Sequence, residues 1–402
     1  MAQFDSVDAH RTALHGISAH AAIAVLLGVS FGLSTLITPL YVIYQQSFGF
    51  SQITLTLIYA AYAIGNVAAL LFFGHVSDNV GRRPAALSAI ATMIVAALVF
   101  LFANGVAALY IGRILSGLGI GIASGTGNAW LAELVGKDDK PRAAIIGTSS
   151  NFLGLGFAAL LSGLFAQYGP WPLHLSFVVY LFILFAAATL VWFTQETVRD
   201  SDPSRIEIQP KLSLPREIRT QFVAPAITGF ALMALVGFYA ALMPSILSHD
   251  LNIRNHAAAG ALLFELATAV AVVIVATRTL ESRTSMMWSL ALMIPAAAAV
   301  AAAQVSGSLW VMLATTAVVA VSVGLGYRGS LQVVNQIAPA DQRAAVVSSY
   351  FVCCFIGNAL PVIGIGVLSS LTSMMVASIA FSCGIAAFAM VALMFGLAHR
   401  RQ

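Results

Sequence analysis

The sequence predicts an all-α membrane protein: twelve transmembrane helices arranged as two pseudo-symmetric six-helix bundles. Three observations carry that prediction: an apolar composition, an even series of bilayer-length runs, and one long polar break near the midpoint. Of 402 residues, 60% are apolar and 8% are charged, and the mean hydropathy is +0.92. A soluble domain carries roughly a quarter charged residues, so this chain is built for a hydrocarbon solvent. Its runs are nearly uninterrupted and do not alternate with a period of two, which favours helices over barrel strands. The net charge of +4 is dispersed among loops and is not a nucleic-acid signal.

A helix crosses the bilayer core with about 20 apolar residues. On that ruler the first six spans fall near 21–44, 54–74, 84–103, 107–133, 143–167 and 172–193. The other six fall near 222–248, 256–277, 285–303, 308–336, 344–370 and 374–398. The first span carries a polar stripe of Ser34, Thr35, Thr38 and Tyr41, with Pro39 inside it. Between the second and third lies a charged, glycine-bounded turn, Gly74 to Pro84, which contains Asp78, Gly81, Arg82 and Arg83. The fourth holds Arg113, Asn128 and Trp130 and ends on Glu133; the fifth holds Asn151. In the second half, Phe238, Tyr239 and Pro244 lie in the seventh span, Glu265 in the eighth, and Tyr327 and Arg328 in the tenth. Asn358 and Pro361 fall in the eleventh.

Lys and Arg orient the chain, because cytoplasmic loops keep them. They gather at Arg11, Arg82 and Arg83, at Lys137, Lys140 and Arg142, and in the stretch 194–220. Beyond it they recur at Arg278 and Arg283, at Arg343, and at Arg400 and Arg401. The intervening loops are free of them except for Arg254. Both termini are therefore expected in the cytoplasm. The expected organisation is a first bundle over 1–193 with a short cytosolic leader, a linker over 194–220, and a second bundle over 221–402. The leader lacks a cleavable signal pattern, and the linker reads as a solvated connector.

The halves resemble each other. Arg142-Ala143-Ala144 is answered by Arg343-Ala344-Ala345, and Gly119-Ile120-Gly121 by Gly324-Leu325-Gly326. Pro39 matches Pro244, and Asp78 aligns roughly with Glu281. Common order and spacing favour two homologous bundles, the repeat logic of many secondary transporters.

The turn spacing Gly-x-x-x-Asp-x-x-x-Arg-Arg, the spans, the linker and the repeat together resemble the major facilitator superfamily over nearly the whole chain. Within it the closest look is the bacterial proton-coupled drug- and metabolite-efflux group. The resemblance implies that Gly74, Asp78, Gly81, Arg82 and Arg83 form a gating loop that meets the second bundle in the outward-facing state. It implies that Asp78 caps the eleventh helix and that Arg82 pairs with Glu133. Arg113 opens a second matching motif, Arg113 to Gly121, and relatives associate such an arginine with proton transfer; the bland alternative is an arginine snorkelling to the outer interface. The fifth span departs from the pattern, with Ala158-Ala159 where efflux antiporters carry Gly-Pro.

Charges inside spans usually mark ion or substrate pathways. Glu265, deep in the eighth span, can take up and release a proton; its alternative role is a fixed pair with Arg328. Arg328 suggests an anionic substrate, since a guanidinium grips a carboxylate with two parallel bonds. With Tyr327, Tyr41, Thr38, Asn128 and Tyr239 it makes the expected substrate set, because the resemblance implies that the first, fourth, seventh and tenth helices line the cavity. The expected function is proton-coupled export of a small organic compound by alternating access, the alternative being an organic-anion importer or exchanger. The expected setting is a monomer in the bacterial inner membrane, with the bilayer and a small solute as its only partners. No cofactor, metal or enzyme activity is expected. The chain has no Walker phosphate loop, and Cys353, Cys354 and Cys383 have no metal-ligand spacing.

Overall fold

The structure, a computed structural model, describes residues 14–74, 76–136, 139–198, 212, 214–250, 253, 255–340 and 342–398. The expected leader, most of the linker and the loop arginines Arg11, Arg254, Arg400 and Arg401 lie outside the described residues, as does Lys137. Among the described residues, twelve helices are long and apolar enough to cross a membrane. The first span is a broken helix: α1 (Gly16–Leu36), a 3-10 turn (Thr38–Leu40) and α2 (Tyr41–Phe48). Pro39 explains the break, since it has no N–H to give to the helical ladder. The first half continues with α3 (Gln52–Phe73), the short α4 (Val76–Val80), α5 (Arg82–Leu101), α6 (Val106–Val135), α7 (Lys140–Tyr168) and α8 (Leu175–Phe193). The second half comprises α9 (Arg219–Ser245), α10 (His256–Ala276), α11 (Ser282–Ser306), α12 (Leu309–Ile337), α13 (Arg343–Leu371) and α14 (Met374–Ala398). Pro244, the counterpart of Pro39, ends α9 just before a single π turn at Ile246–Asp250. Both repeats therefore lose helical regularity at the same place.

The packing repeats as the sequence does. In the first half α1 packs on α6, α7 and α8, α3 on α6, and α5 on α6 and α8. In the second, α9 packs on α12, α13 and α14, α10 on α12, and α11 on α12 and α14. The two halves meet along two seams, α7 with α10 and α3 with α13. Each seam is the image of the other under the repeat.

Small residues make these approaches possible, because hydrocarbon gives helices no hydrophobic reason to associate and close van der Waals contact must do so. A Cβ on Gly117 would collide with the Tyr62 carbonyl across α3 and α6, and one on Gly260 would collide with the Ala159 carbonyl across α10 and α7. Ala158-Ala159, in place of Gly-Pro, leaves α7 unbroken from Lys140 to Tyr168. Gly117→Val should lower the melting temperature of the purified protein. Overpacking costs about 1–3 kcal/mol, and the obstacle here is rigid backbone; an unchanged melting curve would contradict the close packing of α3 on α6.

Candidate functional site

A cavity of about 330 Å³ lies between the halves, walled by α1, α3, α6, α7, α9, α12 and α13. Its roof is a polar bridge. Tyr59 and Tyr62, one turn apart on α3, both donate their hydroxyls to Asn358 Oδ1 on α13 at 2.7 Å. Asn358 Nδ2 in turn donates to the Met233 carbonyl of α9 at 3.1 Å. Beyond this roof α2 packs against α9, and the 3-10 turn packs against α7, α9 and α10. In the other direction the cavity wall reaches Asn128 and Ala344, near the α6 and α13 ends that lie on the linker side. Rings from both halves, Phe152 on α7 and Tyr327 on α12, meet edge to face at 5.5 Å in the wall.

Arg113 stands in this wall and does not snorkel: its side chain is fully buried. Nη1 donates to the Ser34 carbonyl at 2.7 Å and Nη2 to the Tyr59 carbonyl at 3.1 Å. The guanidinium lies 4.7 Å from the Tyr62 ring centroid and 5.1 Å from that of Tyr59, within cation–π range of both.

The structure brings together only part of the expected substrate set. Asn128 and Tyr327 line the cavity, and Asn128 donates to the Ser124 carbonyl at 2.8 Å. Tyr41 is buried within electrostatic reach of Arg113 but outside the wall, and Thr38 is buried in the 3-10 turn. Tyr239 is buried in the second half, where it accepts a bond from Thr316 at 3.2 Å. Arg328 is the main correction. Its Nη2 donates to the carbonyls of Arg278 and Leu280, at 2.7 and 2.8 Å, in the turn between α10 and α11, so it lies away from the cavity. No ion pair joins it to Glu265. Both belong to the second half, but these bonds hold Arg328 at the turn that follows α10, whereas Glu265 sits about nine residues from the other end of that helix. Glu265 is half-buried, its Oε2 is buried without a partner, and its charge reaches the Tyr239 phenol. One turn on, the Thr268 hydroxyl is likewise buried and unpartnered.

The charged turn forms a compact polar knot. Arg82 grips Glu133 with Nε at 3.2 Å and Nη2 at 2.6 Å, while Nη1 meets Ser77 Oγ and Asp78 Oδ1, each at 2.6 Å. Gly81, at φ 100°, lets the chain turn into α5 with a backbone that side-chain-bearing residues rarely adopt. The start of the linker is strapped onto the knot. Glu196 accepts the backbone N–H of Arg82 at 3.0 Å and of Arg83 at 2.8 Å, which places an anion at the positive end of α5. Arg83 Nη2 donates to the Thr194 carbonyl at 2.6 Å, Thr197 bonds Glu133, and Trp130 Nε1 donates to the Gln195 carbonyl at 3.0 Å. Residues 194–198 are thus structural, and only their position just after the sixth span could have signalled it. Asp78 serves Arg82 here, and α13 begins at Arg343 with no side-chain cap from its N-cap residue, Gln342. In the second repeat the contact between the start of α11 and the end of α12 is made by neutral groups: Ser282 Oγ donates to Gln332 Oε1 at 2.8 Å.

Two pseudo-symmetric sets of six spans, closed over one face of a shared central cavity, define a transporter architecture. The sequence pattern of the Major Facilitator Superfamily matches residues 23–362, and the chain belongs to that family. Among curated relatives it is similar to the multidrug resistance protein MdtL of Klebsiella pneumoniae strain 342, with 30% identity over 25% of each chain. MdtL of Escherichia coli O45:K1 matches at 34% identity over 24% of each. The inner membrane transport protein YnfM of Escherichia coli K12 matches at 28% identity over 40% of this chain and 39% of the relative. The chain spans between a quarter and two fifths of the length of these relatives. Among solved structures, a bacterial homologue of the human lysosomal transporter Spinster, inward-facing and unoccupied, superimposes with a TM-score of 0.71. That match covers 94% of this chain and 97% of the other at 15% identity, and it shows the fold alone.

Proposed function

We propose that this chain exports a small organic compound across the bacterial inner membrane by proton-coupled alternating access. The observation that carries the reading is the central cavity, which is roofed by Tyr59, Tyr62 and Asn358 and walled toward the linker side down to Asn128. The positive-inside rule assigns the linker side to the cytoplasm, so both termini are cytoplasmic and the cavity faces the compartment from which an exporter loads. An apolar, aromatic wall with a few polar groups suits a drug-sized organic solute. The MdtL relatives, named as multidrug resistance proteins, point the same way. The two six-helix units, 1–193 and 221–402, rock about the α7–α10 and α3–α13 seams within a single monomer.

Glu265 is the proton carrier in this scheme. It is a half-buried carboxyl with an unpartnered oxygen, and it lies within one half, where reorganisation between states can open and close its access. The knot at Gly74, Asp78, Gly81, Arg82, Arg83 and Glu133 is the switch. In the state seen here Asp78 holds Arg82; in the outward-facing state it turns to the start of α13.

Liposome flux tests the reading. Reconstituted protein should accumulate a fluorescent organic substrate only when the pH gradient has one sense, and reversing the gradient should reverse the flux. Flux that ignores the gradient removes proton coupling. Asp78→Asn should cut the rate while leaving insertion intact, because the neighbouring arginines set topology; a normal rate at normal expression takes Asp78 out of the switch.

A further inference from the structure

We infer that the central cavity selects organic anions, with Arg113 as the counter-charge and Asn66 as its neutral hydrogen-bonding companion. The inference rests on the cavity being the substrate site and concerns only which charge that site accepts. Among the described residues, Arg113 is the one charged side chain in the wall, and no Asp or Glu lines it. The guanidinium cannot escape its charge by losing a proton. It is fully buried, and its contacts are two carbonyls and two phenol rings, with no carboxylate among them. A buried charge without a counter-ion is costly in a medium of low dielectric. A substrate that brings a negative charge removes that cost, and a cationic one adds to it.

The hydrogen-bonding inventory of the wall has the same sign. Arg113 Nε and Asn66 Nδ2 are buried donors without partners, against one such acceptor, Asn151 Oδ1. The two donors lie along the same α3–α6 wall. Gly117, one turn along α6 from Arg113, packs against the Asn66 backbone N–H, and Gly121, another turn on, packs against the Asn66 carbonyl. Asn66 therefore lies about 6–12 Å along the helix from Arg113 at 1.5 Å per residue. A carboxylate, sulfonate or phenolate held in the cavity meets the field of the Arg113 charge, with Asn66 as a further donor along the same wall, while its apolar body lies among the rings of Phe31, Phe152 and Phe351. Arg328, the other arginine within a span, lies outside the wall, with Nη2 on two carbonyls of the α10–α11 turn.

The test is equilibrium binding to the full-length protein in detergent, without a gradient, so that it is independent of direction and coupling. Three probes share a naphthalene body and differ in charge: naphthoate, naphthamide and naphthylmethylammonium. Naphthoate should bind at least about tenfold more tightly than either of the others. Asn66→Asp sets a carboxylate on the Arg113 wall of the cavity without removing any buried group, and it should reduce that preference by about tenfold. Arg113→Gln should erase the preference where the variant folds. The inference is overturned if naphthamide or naphthylmethylammonium binds as well as naphthoate, if naphthoate fails to bind up to its solubility limit, or if Asn66→Asp leaves the preference unchanged. Failure of proton-driven export in liposomes alongside intact anion preference would sink the export reading and leave this one standing.

Discussion

Glu265→Gln is expected to abolish gradient-driven accumulation of substrate while leaving binding and substrate exchange intact. The amide keeps the shape of the side chain and loses the titratable proton. The carboxyl needs no partner for folding, since its Oε2 has none and Arg328 is engaged elsewhere. Expression and melting temperature should therefore stay near those of the parent. Accumulation at steady state should fall to the level of protein-free liposomes, a loss of at least about tenfold, or ~1.4 kcal/mol of coupling. Substrate exchange measured without a gradient should persist. A Gln variant that still concentrates substrate would assign the coupling to another group.

The second large effect is expected at the roof. Tyr59→Phe combined with Tyr62→Phe removes both donors from Asn358 Oδ1 and leaves a buried acceptor unsatisfied, which costs about 1–3 kcal/mol. The cost falls on the closed roof, where α3 and α13 are joined, so the population should shift toward states in which it is open by roughly 5–150-fold. Cys354 reports this shift, since it lies in the cavity wall one turn from Asn358. With Cys353 and Cys383 replaced by Ala, a membrane-impermeant maleimide applied from the side opposite the linker should label Cys354 faster in the double-Phe variant. Equal labelling rates in parent and variant would show that the bridge does not hold the roof shut.

Much of the scaffold was legible from residue type and spacing. Most predicted span limits lie within a few residues of the observed helix ends. The largest departure is the start of α1 at Gly16, well before residue 21. The Arg82–Glu133 pair was also accessible, because the resemblance placed both partners and both lie at helix ends on one side. The cavity was harder. Tyr59 and Tyr62 sit in an apolar run, where a tyrosine reads as packing, and only the distant Asn358 gives their hydroxyls a purpose. Glu196 looked like one more charge in a polar linker, yet it binds two backbone N–H groups of α5. Arg328 misled because depth in a span does not say which face of the helix a charge occupies.

The sequence by itself determined the number of spans, the repeat and the position of the charged turn. These depend on transfer free energies summed over stretches of about 20 residues and on where Lys and Arg fall, quantities that need no third dimension. Only the tertiary structure decided which polar groups share a space. It seated Arg113 among tyrosine rings in the cavity wall, turned Arg328 onto the carbonyls of the α10–α11 turn, and left Glu265 within electrostatic reach of Tyr239. In a buried site the energy of a charge depends on its partners within a few ångströms. Those partners come from helices far apart in the chain, and rotation of each helix about its own axis chooses among them.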